Sequence, residues 1–258
     1  MGPVTLRYLQ KWHGAGNDFL VEVVEHGMAP WWDAPHARAV CDRATGVGAD
    51  GLLVATVGSE VTMVLYNADG SRAEMSGNGV RCLAAAVRRS TRGTWDALEV
   101  VTDAGPRHVK LSGDRDGGSG SVEMGVVTVG AGPAGTLGVA SVGNPHVVVM
   151  DDPAWTAEDR EKLARGWSDE LGGANVEFIT PSAPERIELR VYERGVGWTL
   201  ACGTGSCAVA AVARSRGLSG DVVTVGNPGG DLTVRLNGDR ATLAGPVQFV
   251  ANVEWLAT

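Results

Sequence analysis

A cysteine at the start of a helix-like segment is the first residue whose type and position could do chemistry. The stretch at 201–207, Ala-Cys-Gly-Thr-Gly-Ser-Cys, follows a strand-like run at 187–192 and precedes a small-residue helical pattern at 208–214. The thiol of Cys202 would lie beside the free backbone N–H groups and the positive dipole end of a helix, which attract anions and favour thiolate over thiol. The alternative interpretation is a tight turn with two buried cysteines.

The chain contains a second copy of this stretch. Ser-Gly-Asn-Gly at 76–79 aligns with Cys-Gly-Thr-Gly at 202–205, and Tyr66 aligns with Tyr192, both at an offset of 126 residues. Three further matches occur in the same order at offsets of 125 to 127: Gly16-Asn17 with Gly143-Asn144, Gly46 with Gly172, and residues 111–115 with 236–240. Five matches at a nearly constant offset indicate an internal duplication.

Each repeat has the pattern of many short strands around one apolar, alanine-rich helix. The helix at 80–90 has little polar face, so we expect it to be buried within its own sheet. The predicted fold is therefore α+β, with two pseudo-symmetric domains, each a β-rich barrel or roll wrapped around a central helix. The segment Gly113 to Gly120 has the composition of a linker, which predicts the domain boundary there, with a hinge between the halves.

Composition limits the classes of function. A net charge of −8 over 258 residues argues against a nucleic-acid or anionic-membrane partner. No apolar run approaches the roughly 20 residues that a membrane span requires, and no secretory signal is visible. The cysteines are too few and too scattered for a disulfide framework: Cys41, Cys82, Cys202 and Cys207. We expect a cytoplasmic protein, and the absence of a P-loop, metal-ligand spacing or pyridoxal-phosphate lysine predicts that it needs no cofactor or metal.

A duplicated helix start suits inversion at one carbon atom. If the two domains face each other, Ser76 lies opposite Cys202 in one cleft, so one group removes a proton from one face and the other returns a proton to the far face. Two helix N-termini would bind an α-carboxylate and stabilise the developing carbanion. Thiols suit this task because their reference pKa, about 8.5, is close to working pH.

At this point the residues resemble a known family, the cofactor-independent diaminopimelate epimerases. The resemblance covers nearly the whole chain and rests on these motifs: HGAGNDF at 13–19, GADG at 48–51, NADGS at 67–71, SGNGVRC at 76–82, GNPH at 143–146, NV at 175–176, YERG at 192–195 and ACGTG at 201–205. It implies an isomerase of lysine biosynthesis that interconverts LL- and meso-diaminopimelate, and it suggests a homodimer. It also suggests that the last strand returns to the first domain, which would then comprise residues 1–120 and 247–258, with 121–246 forming the second.

The resemblance also assigns roles to individual residues. Cys202 corresponds to one catalytic thiol and Ser76 stands at the position of the other. The implied substrate contacts are Asn17, Asn67, Gly77, Asn78, Asn144, Asn175, Glu193, Arg194, Gly203 and Thr204. His146 and Glu193 resemble the residues that tune the catalytic pKa values, although a structural histidine and a surface ion pair are the plainer interpretations.

Two positions depart from the family pattern. Ser76 replaces a cysteine, and a serine hydroxyl without a partner base is a poor proton acceptor. The serine at this position has three interpretations: an engineered substitution, a natural family member with altered chemistry, or an inactive binding protein. Cys82 does not replace the missing thiol, because it lies inside the helix. Trp198 stands where the family usually has glutamate, and it either shields the site or packs.

Three hypotheses of function follow: an epimerase weakened by Ser76, a dehydratase, lyase or other racemase that uses Cys202 alone, and a silent amino-acid-binding protein.

Overall fold

The computed structural model describes residues 5–28 and 31–257 of the chain. Strands dominate it, and four helices interrupt them among the described residues. The strands are β1 Thr5–Gly14, β2 Asn17–Glu25, β3 Gly51–Val57, β4 Val61–Asn67, β5 Arg72–Ala73, β6 Ala97–Thr102, β7 Gly105–Gly113, β8 Gly117–Val126, β9 Thr128–Gly130, β10 Gly138–Ser141, β11 Pro145–Met150, β12 Asn175–Ala183, β13 Arg186–Glu193, β14 Gly197–Thr199, β15 Val222–Asn227, β16 Gly230–Asn237 and β17 Arg240–Ala257. The helices are α1 Ala34–Cys41, α2 Gly77–Thr91, α3 Ala157–Glu170 and α4 Gly203–Ser215.

The chain divides into two compact units. The first unit comprises Met1–Val122 and Gly245–Thr258, and the second comprises Glu123–Ala244. The boundaries fall inside β8 and β17, so two strands each contribute residues to both units.

The first unit is a closed barrel of eight strands around α2. Its strands pair in the order β17–β1–β2–β3–β4–β6–β7–β8, and β8 pairs again with β17. Helix α2 contacts β1, β2, β3, β6 and β7 and is buried from Gly77 to Arg88. The alanine-rich helix is therefore enclosed by its own sheet, as its sequence predicts.

The second unit repeats this order of elements. Its strands pair as β9–β10–β11–β12–β13–β15–β16–β17, and α4 packs against most of them. The two parallel pairs of the first unit, β2–β3 and β4–β6, recur as β11–β12 and β13–β15. A hydrogen bond from the Val127 N–H to the Asp239 carbonyl joins the two ends of this order. The duplication seen in the sequence is thus a duplication of topology.

Helices α1 and α3 cover corresponding faces of the two units. Below α1 lies a core that includes Leu20, Leu52 and Tyr66, and the core below α3 includes Val176 and Phe178. Each helix begins at a side-chain cap: Asp33 accepts from the His36 N–H, and Thr156 forms a capping box with Asp159. The capped helices α1 and α3 and the cores beneath them hold in place the strands whose ends carry the predicted site residues.

Two sequence predictions need correction. The glycine-rich segment at 113–120 is not a linker, because its residues form the turn and paired ends of the β7–β8 hairpin, with Gly113 opposite Gly118. Its glycines serve the turn: Gly113 has φ +101°, and a Cβ on Gly118 would lie 1.9 Å from the Ser112 carbonyl oxygen. The sequence pattern also predicts two separate strands at 241–243 and 247–255, whereas the structure has one strand there, β17. No helix in the described part of the chain is long and apolar enough to cross a membrane.

Candidate active site

Ser76 is the N-cap of α2, the helix enclosed by the first barrel. Its backbone is extended (φ −135°, ψ 126°), and its hydroxyl oxygen accepts a hydrogen bond from the Gly79 N–H at 3.0 Å. The half-buried side chain therefore lies among the free N–H groups of the first helical turn. Serine is one of the preferred capping residues, so Ser76 stabilises the start of α2 and also places a polar group there.

Cys202 occupies the same place at the start of α4. Its backbone has φ −126° and ψ 116°, and its Sγ accepts from the Gly205 N–H at 3.3 Å. The Cys202 N–H donates to Asn227 Oδ1 at 3.4 Å, and the Thr204 hydroxyl lies 3.5 Å from Sγ. The prediction that both residues stand at helix starts is confirmed.

The helix start favours the thiolate of Cys202, as the sequence predicts, because the hydrogen bond from the Gly205 N–H lowers its pKa, but burial has the larger and opposite effect. Burial raises the pKa of the Cys202 thiol well above its usual value, and the nearby carboxylates of Glu193 and Glu177 raise it further. Hydrogen bonds from Thr204 and the Gly205 N–H lower the pKa, but burial outweighs them. Cys202 is therefore a protonated thiol near neutral pH, which suits a proton donor.

This protonation state gives a testable pH dependence. Alkylation requires the thiolate, so the iodoacetamide reaction rate at Cys202 should rise about tenfold per unit between roughly pH 7 and 9, without a plateau. Mass spectrometry of the peptide containing Cys202 measures the rate. Cys41 is the internal comparison, because burial raises its pKa to about 12. A plateau in the rate at Cys202 below about pH 8 would contradict the assignment.

Asparagine side chains gather at the α2 end of the first unit. Asn17 begins β2, and its Oδ1 accepts from Asn78 Nδ2 at 3.2 Å while its Nδ2 donates to Asp50 Oδ2 at 2.7 Å. Asn67 lies at the end of β4, opposite Gly51 in the strand register, and donates to the Ser71 hydroxyl at 3.0 Å. The first turn of α2 and the ends of β2 and β4 thus bring these predicted contacts to one edge of the barrel.

The predicted contacts of the second unit lie just before β11, at the start of β12, around the end of β13 and in the first turn of α4. Asn175 begins β12 opposite His146 in the register, and its Oδ1 accepts from the Arg194 N–H at 3.0 Å. Glu193 ends β13 and accepts from the Thr199 hydroxyl at 2.5 Å. The exposed Arg194 guanidinium reaches the Gly173 carbonyl at 3.4 Å, so its planar donor groups face solvent.

Glu177 is a residue of this region that the sequence analysis misses. Its side chain is fully buried, and Oε1 lies 2.6 Å from Nδ1 of the equally buried His146. A Cβ added to Gly205 would lie 2.8 Å from the same oxygen, so the pair sits directly beneath the first turn of α4. The available signal was a carboxylate within the buried strand run at 175–179, since glutamate is almost never fully buried without a partner.

Trp198 packs against the rings of Phe178 and Tyr192, with centroids 5.8 and 5.4 Å away, and remains 41% exposed. Cys82 is buried inside α2, and burial raises its pKa to about 12, which confirms that it cannot replace the thiol missing at Ser76. The described residues contain no cluster of three or more His, Cys, Asp or Glu side chains that could hold a metal ion.

Comparison with known proteins gives consistent matches along the chain. The sequence model of diaminopimelate epimerase matches residues 9–130 and 138–250. A diaminopimelate epimerase from Rhodococcus opacus is 38% identical over 94% of both chains, and one from Halothermothrix orenii is 33% identical over 93% of this chain and 94% of its own.

Solved structures agree on the fold. A Pseudomonas aeruginosa protein described as a predicted epimerase has a TM-score of 0.76 at 16% identity, covering 98% of this chain and 100% of its own. A hydroxyproline epimerase from Agrobacterium vitis has a TM-score of 0.72 at 16% identity, covering 97% and 91% of the two chains.

Proposed function

The chain belongs to the diaminopimelate epimerase family, and from that premise we propose that it acts on diaminopimelate, interconverting the LL- and meso-forms without a cofactor. The observation that carries the proposal is the repeated geometry at Ser76 and Cys202. Each caps an apolar helix inside its own barrel and accepts a hydrogen bond from the N–H of the residue three positions later.

We propose that the epimerisation uses two proton-transfer groups, as the resemblance to the family implies, with Cys202 as one of them. A thiolate on one face removes the Cα proton, and a protonated group on the opposite face returns one, so that the configuration inverts. The backbone N–H groups at Gly77-Asn78 and Gly203-Thr204 would bind the α-carboxylate and stabilise the carbanion. The guanidinium of Arg194 offers a planar fork for the distal carboxylate.

The asparagines orient the substrate without adding charge in this proposal. Their amide groups can bind ammonium and carboxylate groups, and they lie at or next to strand ends: Asn17, Asn67, Asn144 and Asn175. Glu193 adds a carboxylate for the ammonium group, and its negative charge also raises the pKa of Cys202.

Ser76 limits this chemistry to one face. Even with its raised pKa, the thiol of Cys202 is a stronger acid than a serine hydroxyl, so Cys202 rather than Ser76 is the group that can form the base. The chain as written should therefore bind diaminopimelate and exchange the Cα proton of one stereoisomer faster than it converts that isomer to the other.

Proton exchange in deuterated water tests the proposal. Each stereoisomer is incubated with the protein, and deuterium at Cα is followed by NMR together with the LL-to-meso ratio. Exchange of one stereoisomer that disappears in Cys202→Ala is the expected result. Tight binding in calorimetry without any exchange would instead indicate a binding protein, and keto products from β-hydroxy amino acids would indicate a lyase that uses Cys202 alone.

A homodimer is the expected assembly. The outer face of the β1–β17 pair carries exposed apolar side chains: Leu6 faces Leu256 in the register, and Tyr8, which faces Glu254, is 65% exposed. Exposed large apolar side chains grouped on one face suit an interaction surface. Sedimentation velocity should show a dimer that Tyr8→Glu converts to monomer, while Val196→Glu, at an exposed position in the second unit, should leave the dimer intact; a monomeric unsubstituted protein would contradict the proposal.

A reducing compartment such as the cytoplasm suits this mechanism. All four cysteines are free, and Cys202 must remain a thiol to carry a proton.

A further inference from the structure

Three polar side chains of the second unit form a line of hydrogen bonds that ends at the site. Glu177 Oε1 lies 2.6 Å from His146 Nδ1, and His146 Nε2 lies 3.0 Å from Asn144 Oδ1. Glu177 and His146 are completely buried, whereas Asn144 is half-buried at the turn before β11. The line therefore runs from the barrel interior to a residue proposed to contact substrate.

Donor and acceptor chemistry fixes most protons in this line. The amide oxygen of Asn144 can only accept, so His146 Nε2 must carry a hydrogen. A second proton is shared between Nδ1 and Oε1, because either an imidazolium donates to a carboxylate or a carboxylic acid donates to a neutral imidazole. Burial raises the pKa of the Glu177 carboxyl and His146 lowers it, and in both arrangements the pair has no net charge.

The second oxygen of Glu177 strengthens this assignment. Oε2 is buried and has no hydrogen-bond partner among the described residues. A buried carboxylate with one oxygen unpartnered is costly, so retaining a shared proton at Oε1 is the less costly arrangement. Among the described residues, the side-chain hydrogen bond of Glu177 is therefore the one with His146.

The first unit has no such hydrogen-bonded polar pair at the corresponding positions. Strand register pairs Phe19 with Gly51 and His146 with Asn175, so Phe19 corresponds to His146 and Leu53 to Glu177. Both are buried hydrophobic residues. The fold therefore does not require a polar pair at this place, and the pair in the second unit has another reason to exist.

The first unit orients its own asparagine differently. Asn17, which aligns with Asn144, has both amide atoms occupied, since Oδ1 accepts from Asn78 and Nδ2 donates to Asp50. Asn144 instead has its oxygen held by the buried histidine, which turns its N–H₂ group away from His146. A group that donates two hydrogens suits a substrate carboxylate.

We propose that Glu177 is a positioning residue: by holding His146 in the Nε2–H form, it fixes the orientation of the Asn144 amide toward the substrate carboxylate. The inference rests on the proposed function for the identity of the substrate, but the hydrogen-bond line itself does not. Without Glu177, His146 can move its proton to Nδ1, and Nε2 then accepts from a flipped Asn144, which presents its oxygen to the carboxylate.

Nitrogen NMR of the histidine rings tests the line without requiring activity. In protein labelled with ¹⁵N, His146 should show a protonated Nε2 and a strongly hydrogen-bonded Nδ1, with its signals assigned by their loss in His146→Phe. Glu177→Gln should keep the Nε2–H form, because the glutamine amide donates to Nδ1. Glu177→Leu introduces the residue found at the corresponding position of the first unit, Leu53. Without a partner at Nδ1, His146 should then be a mixture of the two tautomers.

Calorimetric titration with diaminopimelate tests the consequence. Glu177→Leu should weaken binding about 10- to 100-fold, the usual effect of leaving one buried polar contact unsatisfied, whereas Glu177→Gln should stay within about threefold of the unsubstituted protein. Glu22→Gln is the matched control, because Glu22 is a buried carboxylate of the first unit that accepts from Trp32 at 2.7 Å; it should change neither binding nor the His146 signals.

Two results would overturn the inference. One is an unchanged Nε2–H form and unchanged binding in Glu177→Leu. The other is a loss in Glu177→Gln equal to that in Glu177→Leu, which would assign the effect to charge rather than to tautomer. If Glu177→Leu does not fold, the Glu177→Gln protein decides the matter: loss of its Nε2–H form would by itself overturn the inference. If the unsubstituted protein binds no diaminopimelate, the proposed function fails while the NMR result still decides the role of Glu177.

Discussion

Ser76→Cys should raise the rate of LL-to-meso interconversion by about 10²- to 10⁴-fold, the usual contribution of one positioned acid or base. The substitution exchanges a hydroxyl for a thiol whose reference pKa is about 8.5. The new thiol would lie among the N–H groups of the first turn of α2, where Ser76 now accepts from Gly79. Both faces of the carbon would then have a group that exchanges protons near neutral pH.

The helix start should tolerate this change. Cys202 already shows that a thiol can cap the equivalent helix, since its Sγ accepts from Gly205 at 3.3 Å. The cost in unfolding free energy should stay within about 1 kcal/mol, the usual value of a capping hydrogen bond. A gain in activity would therefore report chemistry rather than a change in folding.

The measurement follows both stereoisomers in deuterated water with reductant present. Ser90→Cys is the matched control, because Ser90 lies exposed near the end of α2 and accepts from Gln10; it should leave the rate unchanged. A folded Ser76→Cys protein without faster interconversion would rule out the two-base mechanism. Adding Cys202→Ala to Ser76→Cys should abolish any increase in the rate.

The repeat explains why much of this site could be predicted from the sequence. Two short motifs at a constant offset place Ser76 and Cys202 at equivalent helix starts, because a glycine-rich turn before an apolar run has few other solutions. The apolar helix must be enclosed, so the barrels follow from the same pattern. These inferences use only local sequence and its duplication.

Other features depend on distances that local sequence does not encode. His146 and Glu177 are 31 residues apart, and they meet because β11 and β12 pair in one particular register, which a shift of one residue would destroy. The raised pKa of Cys202 depends on burial by the whole barrel. The glycines at 113–120 show the converse, because the same composition suits a flexible linker and a tight hairpin.

His146→Phe should destabilise the second unit by roughly 3–5 kcal/mol, the usual cost of breaking a buried pair from one side. Glu177 has no other hydrogen-bond partner among the described residues, so its carboxyl would remain buried without a neighbour. Adding Glu177→Leu should recover most of the loss, because the double variant reproduces the apolar pair Phe19 and Leu53 of the first unit. Urea unfolding followed by tryptophan fluorescence measures all three proteins.

The single variant should also become pH-sensitive. Burial raises the pKa of Glu177 above its ordinary 4.5, and His146 opposes this rise; without the histidine the folded-state pKa rises further. The folded state then holds a proton that the unfolded state releases, so stability is greatest below about pH 4.5 and falls as pH rises toward the folded-state pKa. Each unit of difference between the two pKa values costs about 1.36 kcal/mol.

The double variant supplies the decisive comparison. Because His146→Phe with Glu177→Leu has no buried carboxyl, its unfolding free energy should lose the extra pH dependence that the single variant shows. Equal pH dependence in the single and double variants would mean that Glu177 is not the group that titrates. An unstable double variant would mean that the second barrel, unlike the first, needs the polar pair to fold, and the pair would then be structural as well as positioning.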